Sequence, residues 1–162
     1  MSGRFWLISI LTLMAVVLVG FRVILPKLTG KKPTENWQRM RVGVSDFRVL
    51  IADSPTEMEQ GLGGRAALAV DEGMLFVYPQ PVTPRYWMKG MRFDLDLIWI
   101  REGKVVDISP NVQAPTNDTT DLPFYIPKEP VDSVLEVIAG AANAHEIMVG
   151  DLVTQPVLQD QR

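Results

Sequence analysis

The chain has 162 residues, of which 47% are hydrophobic and 22% charged, and this length allows one domain with a core and an appendage but not two ordinary domains. It contains no cysteine, which excludes disulfides, thiol catalysis and Cys-ligated zinc. Residues 1–32 contain five basic and no acidic side chains, so the remaining chain has 11 basic against 19 acidic side chains and a net charge of −8. That balance argues against binding to nucleic acid, whose phosphates require a basic surface.

Residues 5–21 form a run of 17 positions without a charge, and residues 23–25 extend the apolar run past Arg22. A helix of this length nearly spans a hydrocarbon core of roughly 30 Å, and the Arg22 side chain can reach the interface. We therefore predict a basic end over residues 1–4 and a transmembrane signal-anchor helix over residues 5–25.

A cleaved secretory signal is an alternative interpretation of this segment, with Arg4 as its basic start. The apolar run is long for a signal core, and Leu18 is too large for the third position before a cut at Gly20. A buried soluble helix would need a polar stripe, to which Ser9 and Thr12 add little. The sequence therefore favours the membrane anchor.

Four basic residues accompany or follow the end of the apolar run, and positive flanks tend to remain in the cytoplasm. Taken alone, this rule places the following domain in the cytoplasm. Residues 26–40 are polar, contain Gly30 and Pro33, and lack a sustained apolar period, so we predict a tether. Trp37 within the tether either anchors at the membrane interface or docks on the domain.

The domain is predicted to begin with a strand and a helix. The apolar positions of residues 42–52 predict a strand with a break near Ser45 and Asp46. The next segment, Ser54-Pro55-Thr56-Glu57, has the N-cap serine, first-turn proline and third-position glutamate of a helix start. We expect this helix to end within residues 61–64.

Short strands and one more short helix are predicted for the rest of the domain. The pair Glu102-Gly103 is typical of a tight hairpin turn. Prolines in residues 79–84 and polar residues in 111–122 predict loops. The Ala-rich residues 140–146 predict a helix with His145 as its C-terminal cap. The predicted strands cover residues 73–78, 86–89, 95–101, 104–109, 133–138 and 152–157.

Many short strands with two short helices indicate an α+β, mainly β fold. We expect a curled or barrel-like, antiparallel-rich sheet over residues 41–158, followed by a tail over residues 159–162. The whole chain is thus predicted to be an N-terminal transmembrane helix, a polar tether and one β-rich domain.

Isolated charges lie among large apolar residues at several points of this domain. The segments are Gly61-Leu62, Arg65, Gly73-Met74-Leu75-Phe76, Tyr86-Trp87-Met88-Lys89, Leu95-Asp96-Leu97-Ile98-Trp99-Ile100, Val134-Leu135-Glu136, Gly140 and Gly150-Asp151. In order and spacing, the chain from about residue 44 to 153 resembles the bacterial and archaeal family called domain of unknown function 192. The resemblance agrees with the β-rich fold, implies no reaction, and favours an extracytoplasmic domain because members often carry export signals. The chain departs from the family pattern at Gly90, where Asn is usual, and at Asp94, where Pro is frequent.

Trp87 and Lys89 are two positions apart, so on a strand they share one face, with Tyr86 and Met88 on the other. An aromatic plate beside an ammonium suits a ligand with a flat or anionic part. The plainer interpretation is that Trp87 belongs to the core and Lys89 is an edge charge that blocks aggregation.

Three carboxylates are further candidates. Asp96 shares a strand face with Asp94. For Asp96, a salt bridge to Lys89 or Arg65 is favoured over a catalytic role. Asp94 is expected to face water. Glu136 shares a face with apolar neighbours, so it lies either at a sheet edge or buried and paired. Arg65 is its predicted partner, because a guanidinium suits a bidentate contact.

The leading functional hypothesis is a non-enzymatic, membrane-tethered domain that binds a small molecule, peptide or envelope component. Its predicted pocket is lined by Arg65, Trp87, Lys89, Asp96 and Glu136. If the anchor is cleaved, the domain is secreted. We predict neither a cofactor nor a metal site, since no calcium-loop or two-carboxylate metal spacing stands out. No Ser-His-Asp, Cys-His or HExxH set can be assembled either.

Two alternatives belong to other classes. A hydrolase would use Asp96 with Glu136 or Asp94 as a carboxylate pair, separated by about 5 to 10 Å across a cleft, and Lys89 as an electrophilic stabiliser. An assembly or chaperone-like partner domain would instead present an exposed apolar patch.

Overall fold

The computed structural model describes residues 35–116 and 121–156, in which seven strands and two short helices form. The predicted transmembrane helix over residues 5–25 lies outside these residues, as does the predicted tail over residues 159–162. Within the described ranges, no helix is long and apolar enough to cross a lipid bilayer.

The seven strands of the described residues form one sheet. They are β1 (Gln38–Val42), β2 (Ser45–Ala52), β3 (Glu72–Val82), β4 (Leu95–Arg101), β5 (Lys104–Val112), β6 (Val131–Ile138) and β7 (Val153–Thr154). Their order in the sheet is β5-β4-β6-β3-β2-β1-β7, and every neighbouring pair is antiparallel except β2 and β3.

The two outer strands of the sheet meet, so the sheet curls on itself. In β5, the backbone N–H of Val105 donates to the carbonyl of Asp151 at 2.9 Å, and the Val105 carbonyl accepts from Gly150 at 2.8 Å. In β7, the N–H of Val153 donates to the Gly103 carbonyl at 2.8 Å. These bonds use backbone groups that an open edge would leave unpaired. The predicted mainly β fold with a curled, antiparallel-rich sheet and two short helices is confirmed for the described residues.

Helix α1 (Pro55–Gln60) lies in the connection between the parallel strands β2 and β3. Its start is the predicted capping box, in which the Ser54 hydroxyl accepts from the Glu57 N–H and the Glu57 carboxylate accepts from the Ser54 N–H. Its end falls at Gly61, whose N–H donates to the Glu57 carbonyl at 2.8 Å. Both predicted limits are confirmed.

Helix α2 (Ala141–Ala144) follows β6 and lies within the segment predicted to be helical. His145 is its C-cap, with its backbone N–H donating to the Ala141 carbonyl at 3.0 Å, as predicted. The imidazole Nε2 lies 3.2 Å from the Val70 carbonyl oxygen, so the ring binds the loop before β3.

Both faces of the central strands are covered by apolar side chains. Along β4, Leu95, Leu97 and Trp99 belong to one buried cluster, whereas Ile98 and Ile100 belong to a second. Because side chains alternate along a strand, the two clusters lie on opposite faces of β4. Burial of both faces explains why the sequence of β4 is a nearly continuous run of apolar residues.

Two predicted loop and strand limits near the site are wrong. Residues 79–84 are not all loop, because β3 continues to Val82, which pairs with Val131 of β6. The preceding pair is Val77 with Ser133, so Pro79 and Pro81 lie in a bulge where no ladder N–H is needed. Residues 86–89 are not a strand, since Tyr86 alone forms a bridge, with Tyr125.

Two other predicted limits also change. Residues 38–40, predicted to belong to the tether, form the start of β1. Trp37 lies just before them and packs against the core, so of its two predicted roles it docks on the domain. Strand β5 continues to Val112, so the loop predicted over 111–122 starts after it. The predicted bounds of β4 and the hairpin at Glu102-Gly103 are confirmed.

Candidate functional site

A cleft of about 130 Å³ lies between α1, β3, β6 and the loop of residues 85–91. The C-terminal end of α1 forms one wall through residues 58–63. Side chains from three separate segments complete it: Phe76 and Tyr78 of β3, Glu136 of β6, and Arg85, Tyr86, Trp87, Lys89 and Met91 of the loop.

Glu136 is the buried carboxyl group of this cleft. It stands on the central strand β6, paired with Met74 on one side and Leu97 on the other, and only 7% of its surface is exposed. Its carboxyl group makes no hydrogen bond and no ion pair with any other described residue. Burial raises the pKa of Glu136 from 4.5 to about 8, because the charged form loses its hydration. The group is therefore mostly protonated at neutral pH.

Two tyrosines line the cleft beside Glu136. The hydroxyl oxygens of Tyr78 and Tyr86 lie 2.9 Å apart and share a hydrogen bond. The Tyr86 ring packs edge-on against Phe76 and Trp99, with centroid distances of 5.2 and 5.4 Å. Burial raises the pKa of both tyrosines, so their hydroxyls remain neutral and can donate a proton or accept one in a hydrogen bond.

The mouth of the cleft carries exposed aromatic rings and two cations. Trp87 is 49% exposed and stacks on Phe124, with the ring centroids 5.7 Å apart and an interplanar angle of 17°. The Lys89 Nζ lies 5.2 Å from the Trp87 ring centroid, and the Arg85 guanidinium carbon lies 4.0 Å from that of Phe124. Neither cation has an ion-pair partner among the described residues.

Three of the five predicted pocket residues, Trp87, Lys89 and Glu136, line this cleft. The predicted proximity of Trp87 and Lys89 is confirmed, although the backbone there is a loop. The two predicted settings for Glu136 are both wrong, because it is neither at a sheet edge nor ion-paired within residues 35–116 and 121–156.

Arg65 lies elsewhere, so its predicted ion pair with Glu136 is wrong. The Arg65 guanidinium bonds the Glu35 carboxylate at 2.6 Å and lies 5.8 Å from the Trp37 ring centroid. It borders a second cavity of about 320 Å³, which shares Gln60, Gly61 and Gly63 with the cleft. The ion-pair partner of Arg65 therefore comes from the segment before β1, whereas the sequence had predicted Glu136 of β6.

Asp96 is also outside the cleft. It is 1% exposed, and its two carboxylate oxygens accept backbone N–H groups from Asn111 at 2.8 Å and Ala142 at 2.9 Å. The predicted salt bridges to Lys89 or Arg65 are therefore wrong. Asp94 is exposed, as predicted, and accepts the Ala114 N–H at 2.7 Å.

The Asp96–Glu136 pair of the hydrolase hypothesis does not form. In the ladder between β4 and β6, Glu136 is the partner of Leu97, while Asp96 is the partner of Val137. Directly paired residues point to the same side of a sheet, and neighbours along a strand point to opposite sides. Asp96 and Glu136 therefore face opposite sides of the sheet, and Lys89 shares a cleft with Glu136 only.

Sequence reasoning missed Arg85, Tyr78, Phe124 and the end of α1 as parts of this site. Arg85 directly precedes the Tyr86-Trp87-Met88-Lys89 segment, so its position next to two predicted site residues was a usable signal. Phe124 and Tyr78 reach the site through the Tyr86–Tyr125 bridge and the β3 bulge, which no local pattern reveals. Within the described ranges, no group of three His, Cys, Asp or Glu side chains could hold a metal ion.

The chain belongs to the family DUF192, which is described as "Uncharacterized ACR". The sequence model of this family matches residues 38–155. Two crystal structures are similar. One is a proposed transcription regulator from Sinorhizobium meliloti 1021, 29% identical, with a TM-score of 0.67 over 76% of this chain and 96% of that one. The other is a protein of unknown function from Novosphingobium aromaticivorans DSM 12444, 26% identical, with a TM-score of 0.68 over 76% and 89% of the chains. Among proteins with curated descriptions, none matches this chain.

Proposed function

We propose that this domain binds a small molecule in the cleft formed around Glu136, Trp87 and Lys89. The observation that supports this proposal is the Glu136 carboxyl group, which is buried on a central strand, opens to the cleft and has no partner among the described residues. Burying such a group without a partner destabilises a domain, so its presence at a cleft is typical of a site that serves a ligand.

The cleft has the composition of a binding site. Aromatic and apolar walls surround a few polar groups, namely the buried Glu136 carboxyl, two tyrosine hydroxyls, two cations at the mouth and the exposed Glu59 carboxylate of α1. Its volume of about 130 Å³ is close to the roughly 150 Å³ of an engineered cavity that binds benzene. The cleft therefore admits a small molecule, or one end of a larger envelope component or peptide.

Binding without catalysis is favoured over hydrolysis. Glu136 is the one carboxylate of the predicted pair that reaches the cleft, and Asp96 is committed to two backbone N–H groups on the other side of the sheet. A general acid and a general base cannot both be supplied by these two residues.

Ligand-induced thermal shifts of the full-length chain test the proposal. A panel of small cationic, anionic, zwitterionic and neutral molecules is screened against the wild type, Trp87→Ala, Lys89→Gln and the control Lys104→Gln, an exposed lysine on β5 outside the cleft. A ligand at 100 times its Kd raises the free energy of unfolding by about 2.7 kcal/mol. We expect a hit whose shift is lost with Trp87→Ala and kept with Lys104→Gln. Hits that are indifferent to Trp87 and Lys89, or no hit at all, would contradict the proposal.

We also propose that residues 5–25 anchor the protein in a membrane and that the β-rich domain is extracytoplasmic. The support for the anchor is the charge-free run of 17 residues. The support for the orientation is the export that the family resemblance implies. In membrane fractions, the full chain should resist alkaline extraction, and protease added to spheroplasts should digest the domain. Release by alkali contradicts the anchor, digestion only after lysis contradicts the orientation, and a shortened soluble chain indicates a cleaved signal.

An interaction domain is a second candidate, favoured by one exposed apolar patch. Val44 is 89% exposed, and the turn that contains it is bonded to the segment of Met148, Val149 and Leu152 through the Gly43 N–H and the Leu152 carbonyl at 2.8 Å. All four side chains are exposed, which is typical of a contact surface. Sedimentation of the full chain, wild type against Val44→Ser, tests whether this patch drives self-association.

A further inference from the structure

We infer that the cleft selects a small amine that also carries an anionic group, with the ammonium against Glu136 and the anion at the Arg85 and Lys89 rim. This inference rests on the proposed binding function and assigns its ligand class. It follows from the positions of the charged groups, with a carboxyl group at the buried base of the cleft and two cations at its mouth.

The base of the cleft is built for a positive charge. The Glu136 carboxyl group is nine-tenths buried and unpartnered among the described residues, so its negative form can be stabilised only by something that enters the cleft. A carboxylate in such a place either takes up a proton or pairs with a cation. A ligand ammonium would replace that proton and satisfy the oxygens.

The walls of the cleft also suit an ammonium. Four aromatic residues line it, contributed by β3 and the loop of residues 85–91: Phe76, Tyr78, Tyr86 and Trp87. Aromatic ring faces attract cations within about 6 Å of the ring centroid, and the attraction is greatest when water is excluded. At the mouth, the Lys89 Nζ already lies 5.2 Å from the Trp87 centroid, which leaves the rings of Phe76, Tyr78 and Tyr86 for a ligand ammonium.

The mouth of the cleft has the opposite charge. Arg85 and Lys89 border it. Burial alone accounts for the raised pKa of Glu136, so these two cations do not stabilise its charged form enough to offset the loss of hydration. The other titratable groups that line the cleft are Tyr78 and Tyr86, which remain neutral, and Glu59 of α1, which is exposed. The mouth thus carries one net positive charge, which disfavours a simple cation and favours a ligand whose outer end is anionic.

Isothermal titration calorimetry of the full-length chain at pH 7 tests the inference with four probes that share a four-carbon frame. They are 4-aminobutyrate, n-butylamine, butyrate and n-butanol, which are zwitterionic, cationic, anionic and neutral. We expect 4-aminobutyrate to bind most tightly. Its binding should release a proton from Glu136, seen as a dependence of the heat on the ionisation enthalpy of the buffer.

Two variants assign the charges. Glu136→Gln, which keeps the shape, should weaken both amines by at least about tenfold and abolish proton release while leaving n-butanol unchanged. Lys89→Gln should weaken the probes that carry a carboxylate and leave n-butylamine and n-butanol unchanged. Glu129→Gln and Lys104→Gln are matched controls outside the cleft and should leave all affinities unchanged.

Several results would overturn the inference. These are no binding of 4-aminobutyrate, equally tight binding of butyrate or n-butanol, and unchanged amine affinity in Glu136→Gln. If the neutral or anionic probe binds as tightly as 4-aminobutyrate and in a manner that requires Trp87, the ligand class is wrong and the binding function stands. If nothing in the wider panel binds, the binding function itself is wrong.

Discussion

The backbone N–H of Ala142, at the start of α2, donates to the buried carboxylate of Asp96 on β4 at 2.9 Å, although the two residues are 46 positions apart. The second oxygen of the same carboxylate accepts from Asn111 of β5 at 2.8 Å. One acidic side chain therefore joins α2, β4 and β5. This use of a carboxylate is structural, since both oxygens already hold donors on the side of the sheet away from the cleft.

Replacement of Asp96 by Asn should destabilise the domain by about 2–4 kcal/mol, because one of the two N–H donors would face an amide NH₂ instead of an oxygen. Urea denaturation of the full-length chain measures this loss. Asp94→Asn is the matched control, since the exposed carboxylate accepts one hydrogen bond, which the amide oxygen of Asn can keep, so this change should cost less than about 0.5 kcal/mol. Equal effects of the two changes would show that burial and the second bond contribute nothing.

Glu136 should make the stability of the domain fall as the pH rises. Its pKa is about 8 when folded and near 4.5 when unfolded, so the folded state keeps a proton that the unfolded state releases. The stabilisation that Glu136 contributes is fully present below about pH 4.5 and is lost as the pH rises to 8. Between these values the free energy of unfolding falls by at most about 1.4 kcal/mol per pH unit. Urea denaturation from pH 5 to pH 9 should show a wild-type profile that descends relative to Glu136→Gln. Parallel profiles would mean that Glu136 titrates normally.

Gly90 should tolerate Asn far better than Ala. Its φ of +72° lies in the left-handed region, where Asn is the best-accepted residue after Gly, and nothing lies within 4 Å of the position of a Cβ. The backbone conformation thus explains why this chain has Gly where the resembling family pattern has Asn. We expect Gly90→Asn to lower the free energy of unfolding by less than about 0.5 kcal/mol and Gly90→Ala by about 1 kcal/mol. The opposite order would contradict this explanation.

Arg65 should be coupled to Glu35 and not to Glu136. A double-mutant cycle with Arg65→Gln and Glu35→Gln should give a coupling of about 0.5–1 kcal/mol, as is usual for a partly exposed ion pair. The cycle of Arg65→Gln with Glu136→Gln is the control and should give a coupling near zero. A larger coupling in the second cycle would restore the pairing expected from sequence.

Local patterns predicted the elements whose signals lie within a few residues. The capping box at Ser54, the hairpin at Glu102-Gly103 and the apolar run of β4 each depend on neighbouring side chains, and each is found where expected. The loop of residues 79–84 was assigned wrongly because prolines forbid a regular ladder but are compatible with a bulge, whose place depends on the partner strand β6.

The site was predictable only in part for the same reason. Trp87 and Lys89 are neighbours in sequence, so their proximity could be expected from spacing, and Glu136 was conspicuous as a charge in an apolar strand. The partners of Arg65, Asp96 and Glu136 were all assigned wrongly. Charge complementarity indicates that a buried charge needs a partner, but it does not distinguish a side chain from a backbone N–H or a proton.

The sequence by itself determined the bounds of β4, the limits of α1, the hairpin at Glu102-Gly103 and the family, because hydrophobic patterns, caps and turn residues act over short distances. Only the tertiary structure decided which charged residues share a cavity. The order of strands in the sheet and the register between β4 and β6 place Glu136 in the cleft and Asp96 behind it, since a shift of one position along a strand moves a side chain to the opposite face.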